Sequence, residues 1–70
     1  MNLRKLMYKL QTALTRRGRY IRIEQRQFYA EEAGRMLTKY VIVEGKKTLL
    51  ETFRPADVVK LLADELKETG

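Results

Sequence analysis

Apolar residues in the N-terminal segment recur at the three- and four-residue spacing of one helical face. They are Leu3, Leu6, Met7, Leu10, Ala13 and Leu14. This spacing predicts an amphipathic helix over residues 2–17, with Asn2 as its N-cap and Gly18 just beyond its end. Its basic polar side is compatible with a membrane surface. The strands that follow need a cover, however, which favours a helix packed on the protein's own sheet.

The middle of the chain alternates between apolar and polar residues with the period of two that a strand requires. Residues 19–29 and 35–44 form two such runs. Between them lies the short polar segment 30–34, which ends on Gly34 and is typical of a tight connection. This pattern predicts a long antiparallel hairpin in the centre of the protein.

The position of the turn determines which side chains share a face of the hairpin. A turn centred between residues 32 and 33 places Ile23 opposite Ile42, on the face expected to meet the core. The same turn places Phe28 opposite Leu37 on the other face. A slip of one residue would exchange the two faces.

A second turn leads to a third strand over residues 48–53. Strict alternation places Leu49 and Phe53 on the core side and Leu50 on the opposite side. Pro55 then begins a second amphipathic helix, about residues 55–68. We therefore predict one domain, residues 1–70, of the α+β class: a helix, a three-stranded antiparallel meander and a helix (αβββα).

Charge is distributed unevenly along this chain of net charge +6. Residues 1–27 contain eight basic residues and one acid, whereas residues 48–70 contain three basic and five acidic residues. Such asymmetry favours a polyanionic partner for the N-terminal part. The alternative is a soluble surface whose charges happen to lie at opposite ends.

The missing residue types exclude several kinds of chemistry. The chain contains no histidine, cysteine, serine or tryptophan, so Ser–His and Cys–His nucleophiles, disulfides and the usual zinc sites are excluded. No glycine-rich phosphate loop is present. We therefore expect a protein that is not an enzyme and has no cofactor, metal or small-molecule substrate. No apolar run approaches the roughly 18 residues of a membrane span, so we expect a cytoplasmic location and no membrane partner.

Arginines cluster where the first helix is predicted to meet the first strand. They are Arg16, Arg17, Arg19, Arg22 and Arg26. Guanidinium groups match phosphate geometry, and the interleaved Tyr20 and Phe28 offer surfaces on which bases can stack. The leading hypothesis is a non-enzymatic accessory protein that binds nucleic acid. The alternative is that these arginines neutralise the helix end and pair with acids such as Glu24.

The sheet face opposite the predicted core is unusually apolar. Its apolar members are Tyr20, Phe28, Leu37, Val41, Val43 and Leu50. A solvated face is normally polar, and an exposed apolar patch usually marks an interface. Either the helices cover opposite faces, or this face joins copies of the chain into a homo-oligomer or binds a protein partner. Such an assembly module, our second hypothesis, would also supplement a core that contributes only about 3–5 kcal/mol in so small a domain.

Two resemblances bear on these hypotheses. The order helix–strand–strand–strand–helix in a small basic chain resembles the double-stranded-RNA-binding domain, whose second helix begins with a lysine-rich phosphate clamp. The matching place here reads Arg54-Pro55-Ala56-Asp57, with one basic residue and one acid, so the resemblance implies an RNA contact for Arg54 alone. The segments RRGRYIRIEQRQFY, GRMLTKYVIVEG and LLETFRPADVVKLLADEL look like small phage- or prophage-encoded proteins of Gram-positive bacteria. That likeness implies a genomic context and no mechanism.

Overall fold

A computed structural model describes residues 2–69, which contain two helices and one sheet. In chain order the elements are α1 (Leu3–Arg16), β1 (Ile21–Ala30), β2 (Arg35–Glu44), β3 (Lys47–Thr52) and α2 (Pro55–Thr69). The three strands form one antiparallel sheet in the order β1-β2-β3. The predicted α+β class and the αβββα order are confirmed.

Both ends of α1 are closed by the residues that the sequence pattern indicates. The Asn2 side chain accepts a hydrogen bond of 2.9 Å from the backbone nitrogen of Arg4. At the other end Gly18 adopts φ +85°, and the backbone N–H of Arg19 donates to the carbonyl of Leu14 at 2.9 Å. This Schellman arrangement ends the helix and leads the chain directly into β1.

The register of the β1–β2 hairpin is the predicted one. Ile23 lies opposite Ile42, and Phe28 lies opposite Leu37. Because directly opposed residues share a face, even-numbered residues of β1 lie with odd-numbered residues of β2. We call this face the outer face, and the face that carries Ile23 and Ile42 the inner face. The outer face includes Arg22, Glu24, Arg26, Phe28, Arg35, Leu37, Lys39, Val41 and Val43.

A β-bulge in β3 changes the faces predicted for the third strand. Val43 pairs with Thr48, whereas Ile42 pairs with Leu50, so Leu49 is an extra residue between the two pairs. Leu49 and Leu50 both pack against the buried core. The prediction that Leu50 lies on the outer face is therefore wrong.

The same bulge moves Phe53 out of the core. An inserted residue inverts the alternation of everything after it, and the Phe53 side chain is 52 % exposed. Its ring lies 5.8 Å, centroid to centroid, from the ring of Phe28 on the outer face. The prediction that Phe53 faces the core is therefore wrong.

Both helices cover the inner face of the sheet. The buried core cluster combines residues of α1, of the sheet and of α2, namely Met7, Leu14, Ile21, Tyr40, Ile42, Val58 and Leu62. The alternative in which each helix covers a different face is excluded. Over residues 2–69, neither helix has the length and apolar character needed to cross a membrane.

The distal part of the β1–β2 hairpin extends beyond β3. Because β3 pairs only with residues 40–44 of β2, the segment 35–39 has β1 alone beside it within the described sheet. Tyr29 and Met36, which oppose each other on the inner face, are 59 % and 57 % exposed. We call residues 26–39 the arm. It explains a radius of gyration of 13.0 Å, which exceeds the roughly 11 Å of a compact chain of this length.

Candidate nucleic-acid interface

Two of the five candidate arginines project from the outer face. Arg22 and Arg26 flank Glu24 at two-residue spacing along β1, so all three side chains point the same way. One Nη2 atom of each arginine lies near the Glu24 carboxylate, at 3.5 Å for Arg22 and 3.1 Å for Arg26. Both arginine side chains remain about two-thirds exposed. Exposed ion pairs contribute little stability, so both arginines can exchange Glu24 for a phosphate at small cost.

Arg19 is bonded within the protein and does not belong to this surface. Its Nε and Nη2 donate to the two carboxylate oxygens of Glu44 at 2.7 Å and 3.0 Å. Nη2 also donates to Glu65 at 3.2 Å, and Nη1 donates to the Thr69 hydroxyl at 2.9 Å. The bonds to Glu44 and then Glu65 raise the pKa of Arg19, and the bonds from Arg19 lower the pKa of Glu44. Arg19 thus ties the start of β1 to β2 and α2.

Arg16 and Arg17 lie in the helix layer, at the exposed end of α1. Arg16 is one wall of a shallow groove of about 520 Å³ along α1. The groove is lined by Lys5, Tyr8, Lys9, Thr12, Ala13 and Arg16. Since α1 covers the inner face, the sheet separates these two arginines from Arg22 and Arg26. The five candidate arginines therefore do not form one continuous surface.

The outer face also carries cations that the sequence pattern did not single out. Arg35 is exposed beside the turn of the hairpin, and Lys39 lies directly opposite Arg26. The Lys39 Nζ lies 3.1 Å from a carboxylate oxygen of Glu51 on β3. The charged residues of this face in the three strands are Arg22, Glu24, Arg26, Arg35, Lys39 and Glu51. Cations outnumber acids on this face. Arg35 and Lys39, which the sequence pattern did not single out, could have been identified from the register of the hairpin.

The apolar side chains of the outer face are less exposed than the sequence indicates. Val41 is only 4 % exposed; its pairing partners are Glu24 on β1 and Glu51 on β3. Leu37 and Val43 are half-buried. Leu50 belongs to the inner face, so the predicted apolar patch is smaller than expected.

Three aromatic rings remain exposed on the outer face or next to it. Tyr20, just before β1, is 71 % exposed, Phe28 is 41 % exposed, and Phe53 joins them at 52 %. Phe28 and Phe53 make an edge-on contact with an interplanar angle of 65°. Because they come from β1 and from the end of β3, the contact spans the sheet. Only the bulge brings Phe53 to this position, so alternation along the sequence could not reveal it.

Comparisons with protein-family models, curated proteins and solved structures find no match for the chain. The resemblances to the double-stranded-RNA-binding domain and to small phage proteins therefore stay predictions, although the helix–strand–strand–strand–helix order is confirmed. Function has to be inferred from the side chains of the outer face and from the surfaces around it.

Proposed function

We propose that this protein binds single-stranded nucleic acid on the outer face of its sheet. The observation that carries this function is the exposed Phe28–Phe53 pair on a face that neither helix covers, flanked by more cations than acids. Arg22, Arg26 and Arg35 would contact phosphates, and the aromatic rings would stack on bases.

Single strands fit this face better than duplexes because they expose the flat surfaces of their bases. Proteins that bind them combine a positively charged surface with aromatic rings on which successive bases stack. Phe28 and Phe53 lie 5.8 Å apart, and Tyr20 adds a third exposed ring near the start of β1. A duplex keeps its bases stacked and offers these rings nothing to contact.

The acids of the outer face do not prevent this role. Glu24 is held between Arg22 and Arg26, and Glu51 lies 3.1 Å from Lys39. Each acid is thus already neutralised by a neighbour. Arg35 has no counter-ion among the described ion pairs and is exposed on the arm, so it would meet a phosphate without first breaking a bond.

The test is titration of labelled single strands and duplexes at two salt concentrations. We expect binding of the single strand that weakens steeply with salt, because phosphate contacts release counterions. Absence of binding at low salt, a salt-independent signal, or equal binding of the duplex would contradict the proposal.

Two variants of equal charge change locate the surface. Arg22→Gln combined with Arg35→Gln should weaken binding and lower the salt slope by about 1.4, because each of these arginines would bind one phosphate and each phosphate of a single strand contributes about 0.7. Arg16→Gln combined with Arg17→Gln removes the same charge from the helix layer and should leave the slope unchanged. The reverse pattern would place binding at the end of α1, where the sequence-based hypothesis put part of it, and would exclude the outer face.

A further inference from the structure

We propose that two copies of this protein pair antiparallel along their β1 edges, so that the two sheets join into one sheet of six strands. This pairing concerns the edge of β1 and the arm. It also involves Arg22, Arg26 and Phe28 of the proposed nucleic-acid surface, so its test uses the protein without nucleic acid. The partner is a second copy of this chain. A two-fold axis through Gln25 makes the backbone edge, the charges beside it and the arm of one copy complementary to those of the other.

The backbone of β1 presents an open edge. The carbonyl of Ile21 accepts a hydrogen bond of 3.0 Å from the side chain of Gln11, so this carbonyl points away from β2. Backbone groups of an antiparallel strand alternate between its two sides, and those of Ile23, Gln25 and Gln27 therefore point the same way. Within residues 2–69 no strand lies along this side of β1, which leaves a template for another strand.

The side chains of β1 on the outer face, together with the length of the overlap, favour one register. With Gln25 on a two-fold axis, Glu24 faces the partner's Arg26 and Arg26 faces the partner's Glu24. Arg22 then faces the partner's Phe28, which suits a cation–π contact. Moving the axis to Glu24 or to Arg26 would place two like charges directly opposite each other, which is destabilising. With this axis, residues 21–29 of β1 overlap the partner strand, nine of the ten residues between Ile21 and Ala30, whereas an axis nearer the start of β1 gives a shorter overlap.

The helix layer permits this pairing because α1 covers only half of β1. Gln11 bonds to Ile21, and Tyr8 accepts a hydrogen bond of 2.7 Å from Gln25, so α1 lies over the first half of the strand. The second half belongs to the arm and is exposed. Under the two-fold axis the exposed half of each copy lies beside the covered half of the other.

The arm gains the cover that it lacks in one copy. Tyr29 would lie opposite the partner's Ile21, a residue of the buried core, and next to the groove along the partner's α1. An isolated two-stranded hairpin is marginally stable in water, yet Tyr29 and Met36 are more than half exposed on the inner face of the arm. Burial against a second copy explains why apolar side chains occupy these positions.

Charges beyond the strands match as well. The turn at the end of the arm carries the exposed acids Glu31 and Glu32. In the proposed register Ala30 faces Tyr20 of the partner subunit. The turn starts at the next residue, so it lies beside the end of the partner's α1. Arg16 and Arg17 are exposed at that end. In the dimer, the acidic turn of each copy therefore lies beside the basic end of α1 of the other copy.

Charge reversal across the axis tests this register in sedimentation experiments without nucleic acid. The wild-type protein should sediment at twice the 8.3 kDa of one chain. Glu24→Arg alone or Arg26→Glu alone creates two pairs of like charges and should give a chain of 8.3 kDa. An equimolar mixture of the two variants restores both pairs and should return to twice that mass, as should the double variant E24R/R26E.

The matched control reverses an outer-face ion pair away from the β1 edge. Lys39→Glu and Glu51→Arg, tested singly, should leave the dimer intact, with circular dichroism confirming that all variants fold. A wild type that stays at 8.3 kDa at millimolar concentration overturns the proposal. So do single β1 variants that remain dimeric, or a mixture that does not recover. Because nucleic acid is absent, these failures would leave the proposed function untouched.

A single cysteine gives a second readout that does not depend on charge. The chain has no cysteine, and the two-fold axis sets residue 25 opposite itself. Oxidised Gln25→Cys should therefore cross-link into a dimer, whereas Lys60→Cys on the exposed side of α2 should not. Equal cross-linking of both variants, or none for Gln25→Cys, would contradict pairing about this residue.

Discussion

Arg19 and Glu44 form a two-point ion pair: Nε lies 2.7 Å from Oε2, and Nη2 lies 3.0 Å from Oε1. The same guanidinium reaches Glu65 and Thr69 of α2. One side chain therefore joins the entry to β1, the end of β2 and the last helix. Because Gly18 directs the chain into β1 immediately before it, this pair also depends on how α1 ends.

Replacing Arg19 with lysine should destabilise the fold. An ammonium group is a point charge and cannot reproduce the planar, two-point contact with a carboxylate. We expect a lower melting temperature for Arg19→Lys. Arg54→Lys, at an exposed arginine just before α2, should melt like the wild type. Equal melting temperatures for all three proteins would show that the Arg19 contacts contribute nothing to stability.

The Glu44 carboxylate should make stability depend on pH in the acid range. Hydrogen bonds from Arg19 lower its pKa in the folded protein, against about 4.3 in an unfolded chain. Its stabilising contribution is therefore fully present above that value and is lost as the pH falls through the lower folded pKa. Glu44→Gln should be less stable than the wild type at pH 7, and the gap should begin to close as the pH falls below about 4.3. Urea unfolding across this range measures the difference, and a gap that stays constant with pH would contradict the assignment.

The bulge in β3 can be checked through Leu50. Leu50 packs on the core, so Leu50→Ala should lower the free energy of unfolding by about 1–2 kcal/mol, as expected for losing part-buried methyl and methylene groups. Leu37→Ala removes the same atoms from a half-buried site on the outer face of the arm and should cost less in a monomeric background such as Glu24→Arg. If Leu37→Ala proved the more damaging, Leu50 would not lie in the core.

The positive φ of Gly18 should make alanine unfavourable there. A Cβ at this position would meet no atom within 4 Å, so the cost comes from the backbone and not from a clash. At φ +85° we expect Gly18→Ala to lower the free energy of unfolding by about 1 kcal/mol. Gly18→Asn should cost less, since asparagine is the usual substitute at this position of a helix end. Chemical denaturation of both variants decides the point.

The arginine cluster shows where local sequence is informative and where it is not. Because Arg16, Arg17 and Arg19 are close in sequence, we expected them to lie on one surface. In the structure, a change of direction at Gly18 separates them. Arg19 is held by acids that are distant along the chain, Glu44 and Glu65. Pairing between residues so far apart depends on how the elements pack, which no local pattern reports.

Periodicity and turn residues by themselves determined the elements of this protein, and they predicted the register of its hairpin on condition of where the turn is centred, a condition that the structure meets. Helical spacing defined α1 and α2, and the polar turn ending on Gly34 set Ile23 against Ile42. These features are local, because a helix or a hairpin is specified by residues that are close in sequence. For the same reason the class and order of elements followed from the sequence.

Only the tertiary structure decided which face the helices cover and what remains exposed. Both helices could have packed on either side of an alternating sheet, and it is their joint burial of one core that leaves the outer face bare. The bulge at Leu49 then exchanged Leu50 and Phe53 between the faces. One unpaired residue inverts every side chain after it, and its position is set by packing of β3 against β2 and the core. The Phe28–Phe53 pair therefore exists only in the folded protein.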